Sequence, residues 1–355
     1  MMDWFELAKL GFAFLLAGVL SYYLTPVVRA AAIRFGIVDR PDGQLKQHEQ
    51  PVAYLGGVAV FLALLLSTSL AYDFDRTILG IMLGTTIIII LGLVDDFGVL
   101  SPSVKIGGQL VALWLLIKAG ISVKLVWLPE PVNWLITLLW VIGVTNAFNL
   151  IDIMDGLASG IALIACVFLA IVSFLNGNYL IAAFTVALAG SLIGFLPYNL
   201  RPASIYLGDT GSMAIGFVLA ALTINERYTV INERIGILAP VVILGIPIFE
   251  TAFLVIVRSL KRIPVLRGSP DHFAIRLRRL GWGIRRIVIT VYAAGFLLGL
   301  LGLVVVYTPG VVAATVVALT AVVALAFGLF LYIREPRLRG TRGLHRNGEE
   351  SGGAN

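Results

Sequence analysis

Long apolar stretches alternate with short polar breaks along almost the whole chain. Eleven stand out, at about 5–27, 54–72, 77–94, 106–120, 132–150, 157–175, 179–196, 211–224, 235–257, 287–307 and 311–333. Most are near the roughly 20 residues that a helix needs to cross a hydrocarbon core of about 30 Å; 106–120 and 211–224 are the shortest. Unpaired backbone groups are too costly in lipid, so each stretch reads as a helix. Barrel strands would instead alternate apolar and polar residues. The pattern predicts an all-α, polytopic membrane fold with about eleven transmembrane helices. Residues 1–335 form the transmembrane domain, and the polar, glycine-rich 336–355 are expected to be a disordered tail. No basic segment precedes the first stretch and no small-residue cleavage site follows it, so it reads as a retained span.

Composition agrees. The chain has 355 residues, 59% hydrophobic and 13% charged, with a mean hydropathy of +0.98. Soluble domains carry about 25% charged residues. The one cysteine, Cys166, lies in an apolar stretch and has no partner for an intramolecular disulfide. Charge adds an orientation. Of 26 Lys and Arg, 20 fall on one set of alternate loops and the tail: Arg29, Arg34, Arg40, Lys46, Lys105, Arg201, nine between Arg258 and Arg286, and five from Arg334 on. Positive-inside logic puts that set in the cytoplasm, with the N-terminus outside and the C-terminus inside. Most of this charge reads as topology, and no nucleic-acid partner is expected. Within 258–286, HFAIRLRRLGW is expected to form a basic amphipathic helix on the membrane surface.

The same side collects an unusual set of acids and amides. LGLVDDFG ends the third stretch with Asp95 and Asp96. NAFNLIDIMDGLASG ends the fifth with Asn146, Asn149, Asp152 and Asp155. YLGDTGSMAIGF opens the eighth with Asp209. Asn149, Asp152 and Asp155 are spaced by three, which on a helix places them on one face. Carboxylates gathered there repel one another unless a cation compensates. Hard oxygen donors suit Mg²⁺, with Mn²⁺ as the alternative, and nearby Lys and Arg suit a phosphorylated substrate. Taken singly, each group has a bland alternative. Asp95 and Asp96 suit a solvated helix end, and Asp209 suits a helix cap. Lys46 and Lys105 suit topology, and His272 a surface position. Glu250, inside the ninth stretch after Pro247, has no assigned role. It is their collection on one predicted face that points to a metal–phosphate site.

These blocks resemble the polyprenyl-phosphate N-acetylhexosamine-1-phosphate transferases. The match runs in order through DRPDGQLKQHEQPVAYLGG, VDDFGVLSPSVK, NAFNLIDIMDGLASG, YLGDTGSMAIGF and RGSPDHFAIRLRRLG, over about residues 36–282. The resemblance implies transfer of a sugar 1-phosphate from a UDP-N-acetylhexosamine to a polyprenyl phosphate, with release of UMP, at the cytoplasmic face of the inner (plasma) membrane. One pyrophosphate bond replaces another, which fits the absence of a G-x-x-x-x-G-K-[ST] loop. It also implies roles. Asp95 orients or deprotonates the lipid phosphate and Asp96 supports it. Asp209 ligates the metal. Asn149, Asp152 and Asp155 shape the nucleotide and metal site. Lys46 and Lys105 meet phosphates, and His272 is the first histidine of a His-x-His-His segment. A homodimer is an open expectation.

The later two histidines of that segment fall on Ala274 and Ile275, with Arg276 and Arg278 as substitute cations. This departure favours the N-acetylglucosamine-type branch over phospho-N-acetylmuramoyl-pentapeptide transferase activity, and Ala274→His is expected to be tolerated. Two rivals stand outside the family. A secondary transporter would place its ionisable groups near mid-membrane. A non-catalytic scaffold would need no shared acidic face.

Overall fold

The computed structural model describes residues 4–39, 51–98, 100–229, 231, 234–264 and 271–346, of which 335–346 as backbone alone. The apolar pattern does fold into helices. They are α1 (Trp4–Arg34), α2 (Gly56–Ala71), α3 (Arg76–Phe97), α4 (Pro102–Lys118), α5 (Glu130–Ile151), α6 (Leu157–Leu175), α7 (Tyr179–Asn199) and α8 (Gly208–Ile224). After a 3₁₀ turn at Gly236–Leu238 come α9 (Ala239–Ile243), α10 (Gly245–Leu260), α11 (Phe273–Arg279), α12 (Ile284–Tyr307) and α13 (Gly310–Arg346). Two short antiparallel strands, β1 (Val38–Asp39) and β2 (Val52–Ala53), are the only sheet among the described residues. The backbone of α13 runs helically to Arg346, into the polar segment that begins at 336. Residues 347–355 lie outside the described residues.

The span count is coarser than the apolar pattern suggests. Among the described residues, seven helices are long and apolar enough to cross a membrane: α1, α3, α5, α6, α7, α12 and α13. The expected straight span at 235–257 is broken. Its two halves meet at Leu244 with a 76° bend, just before Gly245 and Pro247, and counting the pair as one span gives eight. The other three, α2, α4 and α8, have 16, 17 and 17 residues. At 1.5 Å per residue they reach roughly 25 Å.

α8 lies at the centre. Almost every residue from Gly208 to Thr223 is buried, as expected of a helix apolar on all sides. It packs on α2, α3 and α5. The contacts are backbone to backbone. A Cβ on Gly57 of α2 would sit 2.1 Å from the Cα of Gly211, and one on Gly92 of α3 would sit 2.4 Å from the Cα of Thr210. Small residues of this kind let membrane helices approach closely. Gly57→Ala is therefore expected to lower the melting temperature in detergent, since overpacking typically costs about 1–3 kcal/mol. An unchanged melting curve would mean that the α2–α8 contact relaxes freely. By contrast, α13 is largely uncovered, as suits a lipid-facing helix.

Helix ends gather at two poles. At one, Tyr72 donates to Glu6, Arg76 to the Lys118 carbonyl, Asn176 to the Arg227 carbonyl and Tyr307 to Asn176. At the other, Arg29 donates to the Ser204 carbonyl, β2 bridges to Ile205, and the acidic blocks converge.

Candidate functional site

At the second pole, the C-terminal ends of α3 and α5 meet the N-terminal ends of α4 and α8. Ser101 caps α4, its side chain accepting from Val104 N, which sets Lys105 one turn in. The Lys105 ammonium then bridges two carboxylates, pairing with Asp95 and donating to Asp209 Oδ2 at 2.8 Å. Asp95 also accepts from Leu100 N at 2.8 Å. Asn149, on the last turn of α5, donates to Asp209 Oδ1 at 2.8 Å and to Ser212 Oγ at 3.1 Å. Behind it, Asn146 and Gln109 exchange reciprocal amide bonds that join α4 to α5. The Asp209 side chain is 34% exposed and that of Asp95 only 5%, so Asp209 is the carboxylate open to a ligand.

Asp96 is placed differently from its neighbour. It accepts from Asp209 N at 2.9 Å, Thr210 N at 3.1 Å and Thr210 Oγ1 at 2.6 Å. Those amides are among the unpaired donors of a helix start. Asp96 therefore caps α8 from another helix. The cap that Asp209 was suited to give is supplied by Asp96, and Asp209 faces outward instead. Gly208 makes room: its φ is +74°, and a Cβ there would sit 2.6 Å from Asp96 Oδ2.

Asp152 and Asp155 follow α5 in a short connection. Asp155 Oδ2 accepts from Ala203 N at 3.2 Å, pinning the loop before α8. The half-buried Asp152 carboxylate has no hydrogen-bond partner among the described residues. Burial pushes its pKa up to about 8, with smaller contributions from Asp209, Asp96 and Asp155. With that shift the side chain is mostly a neutral acid near pH 7, and a bound cation would favour its charged form. Among the described residues no three His, Cys, Asp or Glu side chains are placed to grip a metal ion as they stand, and Lys105 holds two of the acids. The available donors are nonetheless hard oxygens, in Asp209, Asp152 and Asn149, and their chemistry fits Mg²⁺.

Three of the expected residues remain, Lys46, His272 and Arg276. Lys46 falls outside the described residues. His272 stands at the start of α11, bonded to the wholly buried Glu250 of α10. Arg276 is not presented to a substrate. It is 2% exposed, donates to Asp271 Oδ1 and to the carbonyls of Asp271 and Leu331, and stacks on Phe253. α11 is a seven-residue helix with Phe273, Ala274, Arg276 and Leu277 buried, rather than an amphipathic helix lying on the membrane surface. Ala274 is 0% exposed, so Ala274→His is expected to overpack this position. The role of Glu250 was missed at the level of sequence; the available signal was an acid inside an apolar span.

Residues 78–226 match the family described as glycosyl transferase family 4. The chain is 33% identical over 298 residues to the probable undecaprenyl-phosphate N-acetylglucosaminyl 1-phosphate transferase of Bacillus subtilis, covering 80% of this chain and 82% of that protein. It is 30% identical over 324 residues to the decaprenyl-phosphate N-acetylglucosaminephosphotransferase of Mycolicibacterium smegmatis, covering 81% and 79%. It is also 32% identical over 321 residues to the phospho-N-acetylmuramoyl-pentapeptide-transferase of Anoxybacillus flavithermus, covering 82% and 95%. The matched segment spans α3 to α8, the helices that carry the acidic cluster, and the chain belongs to glycosyl transferase family 4, within the polyprenyl-phosphate N-acetylhexosamine-1-phosphate transferase superfamily.

Proposed function

We propose that this protein transfers an N-acetylhexosamine 1-phosphate from a UDP-sugar to a polyprenyl phosphate at the cytoplasmic face of the inner membrane, using Mg²⁺. The observation that carries the reading is the Lys105 bridge between Asp95 and Asp209, beside the unpartnered Asp152, at the ends of four helices. A lipid phosphate sits at the bilayer edge, so groups that meet it belong at helix ends. An oxygen of the lipid phosphate attacks the phosphorus that carries the sugar. The bond from that phosphorus to the UMP oxygen breaks, and UMP leaves. Both reactants are anions, and their approach must be offset. Lys105 supplies one charge. Asp209, Asp152 and Asn149 would hold the metal, which when bound neutralises the diphosphate. Asp95 orients the lipid phosphate, and Asp96 holds Asp209 in place through the start of α8. Purified protein given polyprenyl phosphate and one UDP-sugar at a time should release UMP; no release from any UDP-sugar would refute the reading.

The proposed orientation has eleven crossings, with α2, α4 and α8 as short spans. A reporter fused after Asn355 should read cytoplasmic, and one in the 226–234 loop external. The reverse result would move the site to the other side of the membrane.

For the donor, we favour UDP-N-acetylglucosamine or a close epimer over UDP-N-acetylmuramoyl-pentapeptide. The segment after His272 carries Phe273, Ala274 and Ile275, of which the first two are buried. It offers few partners to a large polar donor, and each desolvated polar group left unpaired costs about 1–3 kcal/mol. In competition at equal concentrations the smaller donor should be consumed first. Preferential use of the pentapeptide donor would overturn the preference and leave the transfer chemistry standing.

A further inference from the structure

Glu250 lies in the second turn of α10, wholly buried. An ionisable side chain inside a membrane-spanning segment is costly unless it is paired. Both its oxygens are in use. Oε1 lies 2.5 Å from Nδ1 of His272, and Oε2 accepts from Phe273 N at 3.2 Å. An ionised carboxylate only accepts, so in that form Glu250 would hold the proton on Nδ1. The second bond fixes the backbone at the start of α11. The other ring edge, Nε2, has no hydrogen-bond partner among the described residues.

The neighbouring charges are arranged around Asp271, not around His272. Asp271 pairs with Lys261 at 2.5 Å and with Arg276 at 3.0 Å. Arg258 lies within electrostatic reach of Asp271 and Glu250. The His272 segment joins α10 to α12 at the pole of the acidic cluster. Tyr292 of α12 donates to the Gly156 carbonyl at 2.5 Å, tying that helix to the connection that carries Asp152 and Asp155.

We propose that Glu250 is a positioning residue for His272: it holds the imidazole by Nδ1 so that Nε2 is presented to the sugar-phosphate donor. This rests on the transferase reading above. The pairing explains why an acid is kept in a buried, membrane-embedded turn. It also predicts that Glu250 acts only through the imidazole. Glu250→Gln keeps the size of the side chain but has a single accepting oxygen. With that oxygen on Phe273 N, the amide NH₂ faces Nδ1 and reverses the tautomer.

The test is a double-mutant cycle on the full chain, with UMP release as the readout. His272→Ala and Glu250→Gln should each lower kcat by about 10²-fold, the usual loss of a transition-state contact. The double variant should be no worse than His272→Ala alone, and Glu250→Asp should recover part of the rate. A multiplicative loss in the double variant would overturn the proposal. A second arm needs no activity. In ¹⁵N-histidine spectra, with the ring at 272 identified by its loss in His272→Ala, the wild type should show a protonated Nδ1 and Glu250→Gln should not. Identical ring signals in the two proteins would also overturn it. If the wild type transfers nothing, the transferase reading falls, and the ring signals decide the pairing by themselves.

Discussion

Asp209→Asn is expected to keep the fold and lose transfer by about 10²- to 10³-fold, the range seen when a preorganised electrostatic contact to the transition state is removed. The fold should survive because Asp209 does not cap its own helix. The first amides of α8 are satisfied by Asp96, and the Asp209 carboxylate spends itself on Lys105 and Asn149. An asparagine has the same shape and still accepts from Asn149 through its one carbonyl oxygen. It carries no charge, so it loses the ion pair with Lys105 and the strongest ligand for a divalent cation. Thermal melting and UMP release should therefore separate, with little change in the first and collapse of the second. Transfer should likewise stop in EDTA and return with Mg²⁺. Turnover close to wild type in Asp209→Asn would show that this carboxylate neither binds metal nor organises the phosphates.

Much of that arrangement is legible in the sequence, for physical reasons. Apolar stretches of membrane-spanning length force helices, so α1 to α8, α12 and α13 follow from hydropathy alone. Acids and amides at span ends are rare enough that Asp95, Asn149, Asp152 and Asp209 stand out together, and the structure brings Asp95, Asn149 and Asp209 onto a single lysine–carboxylate network. Other features depend on the third dimension. Hydropathy treats 235–257 as one span because bending at Leu244 removes no apolar residue. Asp95 and Asp96 are adjacent, and no local pattern tells which turns toward Lys105 and which toward the start of α8. The three-residue spacing of Asn149, Asp152 and Asp155 suggests one helical face. The helix instead ends at Ile151, so Asp155 turns away to Ala203. Arg276 reads as a cation for substrate, whereas its burial against Asp271 and Phe253 is set by helices far apart in sequence.

The adjacent aspartates should part company when tested. Asp95→Asn is expected to melt like the wild type and to lose transfer by about 10²-fold. Its amide oxygen still accepts from Leu100 N, so the turn after α3 is kept, and the loss falls on the charge that faces Lys105. Asp96→Ala should lose both stability and transfer. It strips partners from Asp209 N, Thr210 N and Thr210 Oγ1 at once. Donors left unpaired in a buried place cost about 1–3 kcal/mol each, and the loosened first turn of α8 takes the Asp209 carboxylate out of position. The two measurements that decide are the melting temperature in detergent and UMP release at saturating donor. If Asp96→Ala melts like the wild type yet is inactive, Asp96 is a reacting group and not the brace of α8. If Asp95→Asn melts early, Lys105 is holding the bundle together rather than serving a phosphate.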